Sequence, residues 1–141
     1  MRGGSLSSLS IDKILWLEPG QGIKAAGRIP EKSEFFQDHF PDFPVLPGVL
    51  ALEMLKQTAE AYLNAPTPQG ENPHYFLKQI RATKFSMYLK PGDEWESDLR
   101  LVSQEGCETH WAGKLFHKGK TAVSAELVLA MSLKQENLIG S

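Results

Sequence analysis

This sequence predicts an α+β domain in which an antiparallel sheet wraps a single helix. Three observations carry that reading. One segment alone, from Pro47 to about Leu63, has the apolar density and length of a helix. From His74 onward the periodicity becomes strand-like, with Trp95, Ser97, Leu99 and Leu101 alternating against Glu96, Asp98 and Arg100. Gly-containing turns then punctuate the second half at the spacing of a meander. At 141 residues the chain is long enough for one domain with a sizeable core and too short for two ordinary ones.

Taken in order, residues 1–10 are Gly- and Ser-rich and read as a flexible lead-in, 11–133 as the domain, and 134–141 as a flexible tail. Ile11 to Pro19 and Ile23 to Ile29 are two strands joined at Pro19-Gly20, a hairpin. Pro41, Pro44 and Pro47 fix their own φ angles and restrict the residue before each, so the loop ahead of the helix should be stiff. Pro47 also suits a first helical turn, where its missing N–H costs nothing. The helix is apolar most of the way round its first half, which predicts that it is buried there. Asn64 to Pro73 ends it. His74 to Leu89, Trp95 to Leu101, Thr109 to His117 and Thr121 to Met131 are the remaining strands, separated by Pro91-Gly92-Asp93, Glu105-Gly106 and Lys118-Gly119-Lys120. One helix cannot cover so wide a sheet, so apolar surface should remain for a partner, a second copy being the natural one.

Bulk properties narrow the function. A formal net charge of −2 argues against a generally basic nucleic-acid binder. The single cysteine, Cys107, allows no internal disulfide and points to a reducing compartment, with the cytoplasm as the default. No stretch is apolar for the roughly 18 residues a membrane helix needs, and no secretory signal is evident.

The chemistry is concentrated between His39 and Gln57. His39 sits beside the stiff loop and the helix start, where a neutral imidazole is a competent base near pH 7. Glu53 is the only acid in the first two turns of the helix; if its face is buried, desolvation keeps the carboxyl protonated longer, as a general acid requires. The free N–H groups of Gly48 and Val49, with the positive end of the helix dipole, can hold an oxyanion. Base, acid and oxyanion site together suit α-proton abstraction with loss or gain of a β-hydroxyl. The residues alone leave plainer readings open: a loop histidine is often structural, and a helix glutamate is often paired across an interface.

His39-Phe40-Pro41, Pro44-Val45, Pro47-Gly48-Val49-Leu50, Glu53 and Gln57 resemble the signature of the β-hydroxyacyl-acyl carrier protein dehydratases of fatty-acid synthesis. The likeness extends from about Ile11 to Met131 through Pro19-Gly20, Tyr75-Phe76-Leu77, Lys84-Phe85, Pro91-Gly92-Asp93 and Gly119-Lys120. Asp42 departs from it, standing where the family commonly has glycine. The resemblance implies a hotdog fold, an antiparallel sheet around one long central helix, with subunits paired edge to edge as homodimers, and leaves open a trimer of dimers. It implies a (3R)-hydroxyacyl-carrier-protein dehydratase: His39 takes the α-proton, Glu53 from the partner subunit protonates the departing hydroxyl, and a trans-2-enoyl thioester remains. By the same resemblance the Gly48 N–H holds the thioester oxygen, the Val45 carbonyl orients His39, and Gln57 orients Glu53. Leu52, Tyr75, Phe76 and Phe85 are then acyl-tunnel residues. It implies no metal or redox cofactor, the substrate arriving on the carrier's phosphopantetheine arm, with Lys78, Arg81 and Lys84 as candidates for meeting that acidic partner. Alternatives within the fold are a hydratase on coenzyme A thioesters, a thioesterase, and a non-catalytic acyl-binding subunit. Cys107, His74, His110 and His117 have no motif around them, and Trp95 and Trp111 read as core or interface packing.

Overall fold

The computed structural model describes residues 11–31, 46, 48–65 and 74–132. The expected lead-in and tail, His39, Asp42 and Val45 lie outside the described residues. Six strands and one helix follow in chain order: β1 Lys13–Glu18, β2 Gly22–Arg28, α1 Gly48–Asn64, β3 His74–Phe85, β4 Glu94–Glu105, β5 Glu108–His117 and β6 Lys120–Ser132. They form one sheet of order β1-β2-β4-β5-β6-β3, antiparallel throughout.

Local chemistry explains the elements. At the β5–β6 turn Lys118 and Gly119 have φ of 53° and 78°, the positive pair that a two-residue hairpin matching the strand twist requires. In β4 the alternation is kept, with Trp95, Ser97 and Leu99 buried and Glu94, Glu96 and Arg100 exposed. The inward residues meet α1 through Ala51, Met54, Leu55, Thr58 and Ala59. Gly113 on the central strand β5 admits that contact: an added Cβ would lie 2.9 Å from Leu99 Cδ1 and 3.6 Å from Leu55 Cδ1. Leu55 is fully buried, which is worth about 2 kcal/mol of transfer free energy.

Two polar ties fix the helix on this apolar bed. The Thr58 hydroxyl lies 2.9 Å from the Met54 carbonyl and 2.8 Å from Ser97 Oγ, and both hydroxyl residues are buried. One turn on, Tyr62 packs edge-on against Trp111, with ring centroids 5.2 Å apart, while its hydroxyl accepts the Gly20 N–H at 2.6 Å. Trp111 in turn donates to Thr109 Oγ1 at 2.8 Å. Since a buried polar group without a partner costs about 1–3 kcal/mol, the Thr58–Ser97 bond sets where along the sheet the helix can lie.

The expectation that the first half of the helix is buried nearly all round is corrected. Val49 is 70% exposed, and Leu50 and Leu52 are only partly buried. Among the described residues the sheet covers one side of the helix, and Val49 on another side stays open. The exposed large apolar residues Val49, Phe76, Phe85 and Tyr88 lie at the helix start, on β3 and just after it. β3 is one of the two sheet edges, β1 being the other, and among the described residues it pairs with β6 alone along its twelve residues.

Candidate active site

The helix start and the end of β3 are tied together. Leu46, just before α1, donates its N–H to the Leu89 carbonyl at 2.7 Å. The Phe85 ring lies directly over Gly48, where an added Cβ would be 2.9 Å from Cε1 and 3.0 Å from Cζ. Glycine at 48 therefore lets the ring pack against the helix start, whose first N–H groups have no partner within the helix and carry the positive end of its dipole.

Glu53 lies further along the helix, on the side away from the sheet, because Ala51, Met54, Leu55, Thr58 and Ala59 occupy the sheet side. Gln57, one turn on, donates Nε2–H to Glu53 Oε2 at 3.4 Å, a long bond between two partly buried side chains. Amide and acid thus share a face, and the amide limits how the carboxyl can turn. The same stripe continues with Lys56 and Glu60, whose Nζ and Oε2 are 3.4 Å apart, and Asn64. Across from it, Tyr75 of β3 ionises above the usual 10.0, because partial burial disfavours the phenolate and Glu60 repels it.

The other predicted residues divide. Tyr75 packs against the core with Leu77 and Ile80, and Leu52 also contributes there. Phe76, its neighbour on the strand, points to the opposite face and is 49% exposed. Lys78 is bonded to Glu108, and Arg81 Nε lies 3.6 Å from Glu126 Oε1, so both cations already have acidic cross-strand partners. Among the described residues Lys84 makes no ion pair, which leaves it the freest of the three. His39 and Val45 lie outside the described residues; of the expected set the structure brings Gln57 to Glu53 and, separately, Phe85 to Gly48. Sequence reading missed Thr58 and Ser97; their signal was a small polar residue on the apolar face of each element. Trp95 and Trp111 are core residues, as expected, and Cys107 is exposed in a turn. Among the described residues no group of three or more His, Cys, Asp or Glu could hold a metal, and no helix is long and apolar enough to cross a membrane.

A single helix laid across one curved antiparallel sheet places the chain in the hotdog class. Among solved structures it is similar to the dehydratase heterocomplex ApeI:P from Xenorhabdus doucetiae, with a TM-score of 0.75 and 15% identity, covering 99% of this chain and 100% of that one. It is also similar to a probable thioesterase from Bartonella henselae, with a TM-score of 0.64 and 13% identity over 82% and 93% of the two chains. At such identities the likeness is one of fold.

Sequence is more specific. The chain belongs to the ApeI-like dehydratase family, whose model matches residues 17–126. It is 33% identical over 124 residues to the 3-hydroxyacyl-[acyl-carrier-protein] dehydratase FabZ of Oceanobacillus iheyensis, covering 87% of each chain. Against the enzyme of the same name from Burkholderia cenocepacia it is 36% identical over 124 residues, covering 85% of this chain and 79% of that one. The expected hotdog fold and dehydratase family are both borne out.

Proposed function

We propose that this protein is a hydro-lyase that removes water from a (3R)-hydroxyacyl thioester to give a trans-2-enoyl thioester, in fatty-acid or related acyl-chain synthesis. The single observation that carries the reading is the arrangement on α1: an acid held by an amide, on the face turned from the sheet, a short distance beyond a helix start roofed by Phe85. The names of the FabZ relatives supply the substrate class, a 3-hydroxyacyl group on acyl carrier protein.

The chemistry follows from charge development. A thioester oxygen held by the Gly48 N–H withdraws density from Cα, and the His39 imidazole takes the α-proton. The Cα–H electrons form the Cα=Cβ bond as the Cβ–O bond breaks, and the departing hydroxyl takes the proton of Glu53 and leaves as water. Gln57 orients that carboxyl, and the Val45 carbonyl orients His39. Oxidation state is unchanged overall, so the elimination asks for no redox group. His39 and Glu53 are fourteen residues apart, across a proline-rich loop and more than a helical turn, and the reading pairs His39 of one subunit with Glu53 of another. The uncovered edge strand and the exposed Val49, Phe85 and Tyr88 support a partner on that side. Tyr75, Leu52, Phe76 and Phe85 would line or gate the acyl path, and Lys84 is the best-placed cation for an acidic carrier. The soluble, cytoplasmic setting of such a pathway fits the single cysteine.

One observation favours a second reading of the assembly. The similar Xenorhabdus structure is a heterocomplex, so a different hotdog chain is the alternative to a second copy. The activity is tested by mixing the protein with a crotonyl or 3-hydroxyacyl thioester and following the conjugated-thioester absorbance. Interconversion that is lost in His39→Ala supports the reading. Full activity in that variant, or thiol release without enoyl formation, sinks it.

A further inference from the structure

We infer that Asp93 is a positioning residue for the site: its carboxylate anchors the peptide between Leu89 and Lys90, and that peptide holds the chain at Leu46, where it enters α1. The inference rests on the lyase reading above.

Two hydrogen bonds meet on one peptide group. Its N–H, that of Lys90, donates to Asp93 Oδ2 at 2.8 Å, and its carbonyl, that of Leu89, accepts the Leu46 N–H at 2.7 Å. A peptide is planar, so a carboxylate that anchors one side sets the aim of the other. The bonds also run head to tail. A negative charge on the N–H side makes the carbonyl a better acceptor, by about 10–30% per bond in such a chain. Water screens the effect little here, because the Asp93 side chain is 17% exposed and Leu46 and Leu89 are both buried.

The turn that carries Asp93 closes without its side chain. Pro91 and Gly92, the latter at φ 85°, form a type II turn in which the Asp93 N–H donates to the Lys90 carbonyl at 3.0 Å. Ile29 brackets it, its carbonyl accepting the Gly92 N–H at 2.9 Å and its N–H donating to the Asp93 carbonyl at 2.8 Å. All three bonds join backbone to backbone, which leaves the carboxylate to the neighbouring peptide. His117 of β5 backs it: its Nδ1–H donates to the Glu94 carbonyl at 2.6 Å, and its Nε2 lies 3.8 Å from Asp93 Oδ2.

What this clamp holds is the way into the site. Among the described residues the Leu46 bond is the one backbone hydrogen bond between the chain entering α1 and the rest of the fold. Pro47 has no N–H, so Leu46 carries the last backbone donor before Gly48. The same N–H belongs to the peptide whose carbonyl is that of Val45, the group that the reading sets on His39. Anchoring the N–H limits how that carbonyl can turn. Asp93 therefore acts on both ends of the proposed chemistry, base and oxyanion donor, without touching the substrate.

The test pairs amide exchange at Leu46 with thioester hydration in the full chain. Asp93→Ala should speed Leu46 exchange by about tenfold, while the Leu101 and Ser86 amides, bonded elsewhere in the fold, keep their wild-type rates. In the same variant kcat should fall by about 10- to 100-fold with KM within about twofold of wild type, because the substrate still binds and the reacting groups are misaimed. Asp93→Asn keeps an oxygen acceptor for the Lys90 N–H and should restore Leu46 protection and most of kcat. If Asp93→Ala fails to fold, Asp93→Ser, with a shorter and weaker acceptor, should show the same pattern at smaller size. Unchanged Leu46 exchange, equal acceleration of all three amides, faster Leu46 exchange with wild-type kcat, or an Asp93→Asn variant as impaired as Asp93→Ala overturns the inference. A wild type without hydration activity, in which Asp93→Ala still releases Leu46, upholds the clamp and sinks the lyase reading.

Discussion

Gly48→Ala probes the oxyanion site with the smallest possible group. Gly48 begins α1 and its backbone is helical, so alanine adds no conformational strain and gains a few tenths of a kcal/mol in helix propensity. Its new methyl would sit 2.9 Å from Phe85 Cε1, where ordinary contact begins near 3.4 Å, so the ring must retreat by about half an ångström. Phe85 is 44% exposed and can do so, and the net change in folding free energy should stay within about 1 kcal/mol. Catalysis should suffer more. Losing one oxyanion donor outright costs about 2.7–4 kcal/mol, and here the donor remains but is crowded, so kcat/KM should fall by about 30- to 100-fold, mainly in kcat. Crotonyl-thioester hydration measures it, with a melting curve as control. Adding Phe85→Leu should return part of the loss by making room. Wild-type kcat/KM in Gly48→Ala, or a loss that Phe85→Leu leaves untouched, would refute the placement of the thioester oxygen under that ring.

Glu53→Gln should lower kcat by about 10²- to 10⁴-fold with little change in melting temperature, and Gln57→Ala by about tenfold, both read by the same assay. Thr58→Val should destabilise by about 1–3 kcal/mol because the buried Ser97 hydroxyl loses its partner; Thr58→Val with Ser97→Ala should cost less than the two single changes added, as denaturant melts would show. Tyr75 holds its proton above 10.0, so the folded state binds that proton more tightly than the unfolded one. Its contribution to stability is full below pH 10 and is lost as pH rises through the folded value. Tyrosinate absorbance should show Tyr75 ionising after ordinary tyrosines, and Glu60→Gln should bring its titration earlier.

Much of the fold was legible because its signals are local. Pro19-Gly20 marks the first hairpin, Lys118-Gly119 the last, and Pro47-Gly48 the helix start, each through the backbone conformation it allows. The placement of β3 at the far edge beside β6 was not legible, because pairing across that distance is set by the whole sheet and no turn encodes it. For the same reason the partners of Lys78 and Arg81 appeared only with the registers that set Glu126 of β6 opposite Arg81 and carry Glu108 of β5, one strand further on, within reach of Lys78. In the candidate site, Gly48 and Glu53 stood out from their places in the first helical turns and Gln57 from the family resemblance, whereas Phe85 over Gly48 depended on how a strand end meets a helix start. The over-broad expectation of helix burial arose because apolar count alone cannot say how many of a helix's sides have a neighbour.

The central claim is that each site needs two chains, and mixed dimers test it most directly. His39→Ala and Glu53→Gln should each be inactive alone. Mixed in equal amounts and allowed to exchange subunits, half the dimers are hybrids, and in each hybrid one of two sites carries both native residues. Crotonyl-thioester hydration should then return to about a quarter of the wild-type rate. A mixture no more active than either variant, in a preparation where hybrid dimers are seen to form, would contradict the account.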